Sequence, residues 1–236
     1  SDQIINSAAK MLQMSGGQYG CPIVFRGGNG TAGQLAATHS QSFESFYAHV
    51  PGLKVVTPFT PYDAKGLLKT AIRDDDPVLV MESEKMYGDK GEIPDNEYLV
   101  PIGKANVREN GSDVTIVSFG KILKVVHAAS VELSKEGISC EIIDLRSIRP
   151  IDYKTIVESV QKTNRCVVVE ESWPLASISS ELAYHIQRYA FDHLDSPVVR
   201  VMQADTPFAF SKNLIEEALP NTKKVMDAVK SVMYVS

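Results

Sequence analysis

Cysteine and tryptophan are scarce in this chain, with three and one among 236 residues, and neither sign of charge dominates. Cys21, Cys140 and Cys166 are odd in number, far apart and beside or within apolar runs. We therefore interpret them as reduced, buried thiols of a reducing compartment, and not as a disulfide framework. The formal net charge is −5, and no basic stripe provides an electrostatic footprint for nucleic acid. No apolar run approaches the roughly eighteen residues of a membrane span, and the first residues lack a secretory signal.

Several motifs that carry a known chemistry are also missing. The chain has no G-x-x-x-x-G-K-[ST], no H-E-x-x-H, no C-x-x-C and no G-x-S-x-G pattern, which argues against a P-loop, a zincin, a thioredoxin-like site and a hydrolase nucleophile elbow. The hydrophobic fraction of 44 % is typical of a globular protein, and the length suits one large domain or two ordinary ones.

Strand-like and helix-like segments alternate along the chain. Apolar runs predict strands at 22–26, 53–57, 78–82, 113–118, 139–145, 165–170 and 197–202. Helical spacing and capping residues predict helices at 2–14, 61–73, 121–136, 151–162, 177–191, 211–219 and 221–233. The strands are continuous Val/Ile runs, which favours parallel sheets covered on both faces. Residues 83–103 are rich in Gly, Pro and charge without periodicity and are predicted to link two α/β units. Because the chain opens inside a helical pattern with no preceding strand, we interpret it as a truncated or processed chain.

A glycine-rich loop follows the first predicted strand. Gly28, Gly30 and Gly33 fit G-x-G-x-x-G, but a dinucleotide site also requires a helix at the glycines and an acidic residue ending the next strand. Here the helix is delayed, and the next strand ends in Val-Val-Thr-Pro at 55–58. We therefore interpret the glycines as letting the backbone pass close to a ligand or a neighbouring chain.

His39 lies at the end of this loop. A lone loop histidine fits either a surface position or a functional one. The carboxyl end of a strand is where open α/β sheets bind ligands, and imidazole suits proton transfer near neutral pH, so both favour function. The residues alone thus predict an α/β protein with a ligand site near residues 26–41.

Two groups of carboxylates have open interpretations. Asp74–Asp76 follow a predicted helix, and they fit either a solvated helix terminus or a cation site that uses the last helical carbonyls. Glu170 and Glu171 end a predicted strand, where a catalytic, an interface and a hydrogen-bonding role are all compatible with the sequence.

A series of segments resembles the β subunits of the decarboxylating component of pyruvate dehydrogenase complexes, nearly end to end and in the right order. The segments are DQIINSAAK (2–10), PIVFRG (22–27), HSQ (39–41), PGLKVV (51–56), DAKGL (63–67), AIRD (71–74), PIGKA (101–105), DLR (144–146), IRP (148–150) and EESWP (170–174).

This resemblance implies a fold and a set of partners. Residues 1–101 correspond to the later part of a pyrimidine-binding thiamine-diphosphate domain, and residues 102–236 to a transketolase-type C-terminal domain. Thiamine diphosphate would lie between subunits, with its diphosphate and Mg²⁺ held by an α subunit. The implied partners are that α subunit, a second β subunit in an α2β2 assembly, and a dihydrolipoyl acyltransferase core that contacts the loop near Asp195 and the C-terminal end. The implied compartment is the bacterial cytoplasm or the mitochondrial matrix, without nucleic-acid or membrane partners.

The resemblance also implies an activity, the oxidative decarboxylation of pyruvate with acetyl transfer to lipoyl groups. His39 matches the family histidine that assists proton transfer during lipoyl acylation. A potassium site of some members uses oxygens at positions matching Ile23, Ala71, Ile72, Asp74 and Asp76. Two alternatives stay open: a branched-chain 2-oxoacid dehydrogenase β subunit, and an assembly fragment without catalysis.

Departures from the family pattern limit what this chain does alone. The family's cofactor-activating glutamate lies upstream of these residues, so we expect the 236-residue chain alone to be inactive. Gly28 stands where many relatives have proline, and Thr38 stands where glutamine is frequent, which leaves the path of the loop open.

Overall fold

The computed structural model describes residues 1–235. Its strands are β1 (Val24–Gly28), β2 (Lys54–Val56), β3 (Val78–Glu82), β4 (Asn106–Glu109), β5 (Val114–Ser118), β6 (Cys140–Asp144), β7 (Ser147–Arg149), β8 (Cys166–Glu170) and β9 (Val199–Met202). Its α-helices are α1 (Met11–Met14), α2 (Glu44–Ala48), α3 (Pro61–Ile72), α4 (Leu123–Lys135), α5 (Tyr153–Thr163), α6 (Ile178–Tyr189), α7 (Lys212–Ala218) and α8 (Thr222–Met233). A π-helical segment (Gln3–Ala8) and short 3₁₀ turns, including Ala37–His39 and Gly120–Ile122, complete the secondary structure.

The strands form two sheets. In the first, the order is β1-β3-β2-β7, with β1, β2 and β3 parallel and β7 antiparallel at the edge. In the second, the order is β4-β6-β5-β8-β9, with only β4 antiparallel. The predicted α/β class and its mainly parallel pairing are therefore confirmed.

Local capping explains where the long helices begin. The Thr60 side chain accepts the N–H of Asp63, and Pro61 occupies the first helical position of α3, where its missing N–H costs nothing. Asp152 and Ser177 cap α5 and α6 in the same way. The predicted ranges of α3, α4, α5, α6 and α8 agree with the structure to about two residues at each end, the normal uncertainty of helix boundaries.

Some predicted segments differ from the structure. The helix predicted over 2–14 is interrupted after Ala8, because the Ala9 carbonyl packs against the backbone of Gly52 and the Lys10 ammonium donates to the Pro51 carbonyl at 2.6 Å. The predicted linker 83–103 contains no strand or α-helix, and it packs against the first half, since Val100 is buried in a cluster with Leu67. The free cysteines agree with the sequence in part: Cys140 and Cys166 are buried, whereas Cys21 is half-buried.

The main hydrophobic core joins the two units. It combines Val55 and Leu79 of the first sheet with Val117 and Ile143 of the second. A second core lies between the second sheet and helices α4 and α8. As a result, the carboxyl ends of β1, β2 and β3 lie against those of β5 and β8, where the side chains of Thr31 and Glu171 meet. Within residues 1–235, no helix combines the length and the apolar character that crossing a membrane requires.

Candidate functional site

The glycine-rich loop follows the end of β1, and backbone hydrogen bonds hold it in place. The N–H of Asn29 donates to the Glu82 carbonyl at 2.7 Å, and the N–H of Gly30 donates to the Gln41 carbonyl at 2.8 Å. The first contact ties the start of the loop to the end of β3, and the second brings the two ends of the loop together. We call residues 29–31 and 41–44 the neck, and the segment between them, which carries His39, the His39 loop.

Asn29 ties the two sides of the neck together. Its amide nitrogen donates to Glu44 Oε1 at 2.6 Å, and its amide oxygen accepts the N–H of Phe43 at 2.9 Å. Thr31, Ser40, Ser42 and Glu44 of this region are buried. The neck is thus a closed, hydrogen-bonded structure from which the exposed His39 loop projects.

His39 ends a 3₁₀ turn and is exposed. Its Nδ1 lies 2.9 Å from Thr38 Oγ1, so Nε2 is the ring nitrogen left for a substrate. The side chain lines a cleft of about 220 Å³ together with Gly28, Asn29, Gly30, Ala32, Leu35, Thr38, Gln41, Phe43 and Glu84. A titratable imidazole therefore faces a small, glycine-lined cleft at the carboxyl end of a parallel strand, where α/β folds bind ligands.

The second half of the chain reaches the neck through Glu171 and Lys121. Glu171 Oε1 accepts the Thr31 N–H at 2.8 Å and the Thr31 hydroxyl at 2.7 Å. Lys121 Nζ lies 2.8 Å from the same carboxylate oxygen and 2.7 Å from Thr31 Oγ1, and it also donates to the Thr31 carbonyl. This answers the open question about Glu171, which makes hydrogen bonds between the two halves.

Burial shifts the pKa values of the ionisable groups behind the neck. Desolvation and, to a smaller extent, the charges of Glu170 and Glu171 raise the pKa of Glu44 to about 8, against the lowering effect of backbone and Asn29 hydrogen bonds. Desolvation likewise raises the pKa of Glu170 to about 7, although its carboxylate accepts the N–H groups of Ile178 and Ser179 at the start of α6. Desolvation lowers the pKa of Lys121, opposed by Glu171. Glu44 is therefore mostly protonated at neutral pH.

Lys54 pairs with two of the predicted potassium ligands, Asp74 and Asp76. The Ile23 carbonyl accepts the N–H of Val78 at 3.0 Å, and the Ala71 carbonyl accepts that of Asp74 at 3.3 Å. Ile72 is the last residue of α3. Lys54 Nζ lies 2.7 Å from Asp74 Oδ1 and 3.0 Å from Asp76 Oδ2. The Lys54 ammonium thus offsets one of the two carboxylate charges, and backbone carbonyls make up the rest of the predicted potassium ligands.

In the part of the chain that the structure describes, no group of three or more His, Cys, Asp or Glu side chains is placed so that it could hold a metal ion. This does not test the predicted potassium site, because backbone carbonyls supply most of its oxygens. Carbonyl oxygens are ligands that fit a hard, weakly hydrated cation better than they fit a transition metal.

The lining of the cleft beside His39 does not suit a diphosphate group. Within residues 1–235, its lining includes no lysine or arginine, and Glu84 adds a carboxylate. Phosphate groups are bound by arginine, lysine, helix N-termini or a metal ion. A diphosphate would therefore require groups from outside this lining.

Sequence reasoning did not identify Thr31, Glu44 or Lys121. Lys121 lies three residues after Ser118, the last residue of β5, and this position just beyond the carboxyl end of a strand was the available signal. Thr31 lies inside the G-x-G-x-x-G pattern, which was interpreted through its glycines alone. For Glu44, nothing in the sequence distinguishes a buried carboxyl group from a solvated one.

Comparison with known proteins gives two domain families and a set of whole-chain relatives. Residues 1–90 match the family described as transketolase, pyrimidine binding domain, and residues 103–225 match transketolase, C-terminal domain. The chain is similar to a "Pyruvate dehydrogenase E1 component subunit beta" of Rhizobium meliloti (strain 1021), with 52 % identity over 99 % of this chain and 51 % of that protein. It is similar to the subunit of the same name of Rickettsia felis, with 49 % identity over 100 % of this chain and 72 % of that protein. With the mitochondrial subunit of Bos taurus the identity is 48 %, over 98 % of this chain and 66 % of that protein.

Among solved structures, the chain is similar to a "Split gene transketolase, inactive beta4 tetramer", with a TM-score of 0.80, 22 % identity, and coverage of 99 % of this chain and 71 % of that one. At this identity the likeness concerns the fold alone. The chain spans about half of the R. meliloti relative and 72 % of the R. felis relative. The predicted order of a pyrimidine-binding domain and a transketolase-type C-terminal domain is confirmed, and with near-half identity along its whole length the chain belongs to the family of pyruvate dehydrogenase E1 component β subunits.

Proposed function

We propose that this chain is part of the β subunit of a thiamine-diphosphate-dependent 2-oxoacid dehydrogenase that decarboxylates pyruvate and transfers the acetyl group to lipoyl groups. The single observation that carries the proposal is the exposed imidazole of His39 at a glycine-lined cleft of about 220 Å³, in a chain of this family. The α subunit would hold the diphosphate and Mg²⁺, in keeping with the cleft's lack of cationic side chains among the described residues. The partners are then that α subunit, a second β subunit and the acyltransferase core, in the bacterial cytoplasm or the mitochondrial matrix.

His39 has one chemical task in this proposal. Thiamine diphosphate, when bound between the subunits, supplies the carbon nucleophile and the electron sink for the loss of CO₂. When the lipoyl disulfide opens, one sulfur receives the acetyl group and the other needs a proton. An imidazole is the side chain best suited to proton transfer near neutral pH, and Thr38 beside Nδ1 orients the ring so that Nε2 serves as the donor.

His39→Ala tests this role in the full-length subunit assembled with its α partner. We expect lipoyl acylation to slow about 100-fold, a typical contribution of a positioned general acid, while decarboxylation measured with an artificial electron acceptor changes far less. His49→Ala, on an exposed histidine at the end of α2, is the control. Equal rates for His39→Ala and the control in both half-reactions would remove the assigned role.

Two other functions are separated by the choice of assay. A branched-chain 2-oxoacid dehydrogenase would prefer branched-chain acids to pyruvate in the same assembly. An assembly fragment would form a stable dimer in sedimentation without supporting turnover. The chain alone is expected to be inactive, because the activating glutamate of the family lies upstream of these residues.

We also propose a potassium ion at the oxygens of Ile23, Ala71, Ile72, Asp74 and Asp76. Lys54 offsets one of the two carboxylate charges at this turn, and the ion would stabilise the carbonyl groups at the end of α3. Exchanging K⁺ for choline at constant ionic strength should lower the thermal midpoint of the full-length assembly, and Na⁺ should restore less of it than K⁺. A midpoint that is the same in K⁺ and choline would contradict the site.

A further inference from the structure

A buried ion pair from the second half of the chain ends on one residue of the His39 loop's neck. Lys121 has three N–H donors, and it contacts the Thr31 carbonyl, the Thr31 hydroxyl and Glu171 Oε1. The same Glu171 oxygen accepts the N–H and the hydroxyl of Thr31. Five polar contacts therefore link Lys121, Glu171 and Thr31, which we call the clamp.

Burial makes the clamp strong. Thr31 is 1 % exposed, Glu171 is 7 % exposed, and the Lys121 side chain is 12 % exposed. Charge-assisted hydrogen bonds are stronger than neutral ones, and in a dry environment neither partner has water as a substitute. Removing one charge would leave the other buried without compensation, which is the costly way to break a buried pair.

The backbone is shaped to admit the clamp. Gly30, directly before Thr31, has φ +75°, a conformation that favours glycine. A Cβ atom at Gly30 would lie 2.8 Å from Glu171 Oε1 and 3.3 Å from Lys121 Nζ. Only a residue without a side chain lets the ion pair approach this closely. The glycine pattern in the sequence thus serves contact between the two halves as well as the cleft.

The clamp is connected to His39 through few bonds. Thr31 follows Gly30, whose N–H donates to the Gln41 carbonyl at 2.8 Å, and Gln41 is two residues after His39. On the other side, Asn29 holds Glu44 and Phe43. A shift of Thr31 would therefore move both ends of the loop that carries the imidazole.

We propose that Lys121 and Glu171 are positioning residues, through which the transketolase-type C-terminal domain sets the geometry of the His39 loop. The importance of that geometry for turnover rests on the proposed function of His39. The existence of the clamp does not rest on that function, because the order of the loop is measured without turnover.

Amide hydrogen exchange in the full-length subunit, within its native assembly, tests the clamp directly. Lys121→Met removes the ammonium, and Glu171→Gln keeps the shape and an acceptor oxygen but removes the charge. We expect the Thr31 amide and the segment 31–41 to exchange faster in both variants, and the double variant to be no worse than the poorer single one, since the residues act as a pair. Lys121→Arg should restore most of the protection.

Lys124→Met is the matched control. Lys124 also pairs between the halves, 2.6 Å from Asp89, but its side chain is 49 % exposed and its partner lies outside the His39 loop. The Lys124→Met variant should leave amide hydrogen exchange in residues 31–41 unchanged. Wild-type exchange in both clamp variants, or the same acceleration in Lys124→Met, would overturn the proposal. If Lys121→Met does not fold, Glu171→Gln alone decides, because it is nearly isosteric.

Kinetics give the second readout. A loop displaced by a fraction of an ångström should lower kcat for lipoyl acylation by about 10- to 100-fold while KM stays within about twofold, as expected for lost orientation. A rise in KM with kcat unchanged would contradict positioning. Should His39→Ala leave acylation unaffected, the proposed function of His39 fails, and faster loop exchange in the clamp variants still supports the clamp.

Discussion

At the residue scale, Glu44 illustrates how one buried carboxyl group makes stability depend on pH. Its pKa is about 8 in the folded chain and 4.5 for an unperturbed glutamate, because burial disfavours the ionised form. Well below pH 4.5 the group is protonated in both states and contributes no pH dependence. Between pH 4.5 and 8 the unfolded chain loses this proton first, so Glu44 lowers the free energy of unfolding progressively as the pH rises.

Glu44→Gln should therefore raise the thermal midpoint at pH 8 and have little effect near pH 5. Glutamine keeps an oxygen that accepts from Asn29 Nδ2 and cannot ionise. Since one pKa unit corresponds to about 1.4 kcal/mol, the gain at pH 8 is on the order of 4 kcal/mol. Thermal unfolding of the full-length assembly across pH 5–8 measures it, with the exposed Glu132→Gln as control. A gain that is equal at both pH values would argue against a protonated Glu44.

At the element scale, the start of α3 is tied to the second sheet by buried charges. Asp63, in the first turn of α3, pairs with Arg108 of β4 and lies 3.0 Å from Arg146 Nε. Arg108 also pairs with Asp144 at the end of β6. Both aspartates are fully buried, and the two arginine charges balance them. The network joins the two halves on the side of α3, as the clamp does at the His39 loop.

Asp63→Asn should destabilise the chain by about 3 kcal/mol, because the substitution leaves two buried arginines facing one carboxylate. Lys154→Met, which breaks an exposed pair with Glu158 on α5, should leave the thermal midpoint unchanged. Differential scanning calorimetry of the full-length assembly compares the two. A similar small effect for both substitutions would mean that the network contributes no more than a surface ion pair.

The helices and strands also show which parts of the fold the sequence could predict and which it could not. The long helices and the parallel strands follow from apolar periodicity and caps, which are local. Strand β4 (Asn-Val-Arg-Glu) is short and half-exposed, and β7 has three residues, so neither gives an apolar run. β7 exists because it pairs with β2, far away in the chain. Tertiary pairing of this kind has no local signal.

For the candidate site, sequence located the loop and His39 but not the side chains behind them. Imidazole at a strand end is a recognisable pattern. The partnership of Thr31, Lys121 and Glu171 depends on the packing of two sheets against each other, and residues so far apart in sequence give no periodic signal. The buried state of Glu44 likewise follows from that packing.

At the scale of the whole molecule, the two halves are not equally self-sufficient. All five strands of the second sheet lie within residues 102–235, whereas the first sheet takes β7 from the second half. The main core also mixes both halves, with Val55 and Leu79 packed in one cluster with Val117 and Ile143. Separation at the predicted boundary between residues 101 and 102 would therefore remove an edge strand and part of the core from the first half.

Expression of the two halves as separate polypeptides tests this asymmetry. Residues 102–236 should unfold cooperatively on heating, because their sheet and the core beneath α4 and α8 are complete. Residues 1–101 should show no cooperative transition alone and should gain one when mixed with the other half, which supplies β7 and the partners of Asp63 and Thr31. Circular dichroism melts of each piece and of the mixture measure this. A cooperative melt of 1–101 alone would show that this half folds without β7 and the shared core. It would also argue against a dependence of the His39 loop on the C-terminal half.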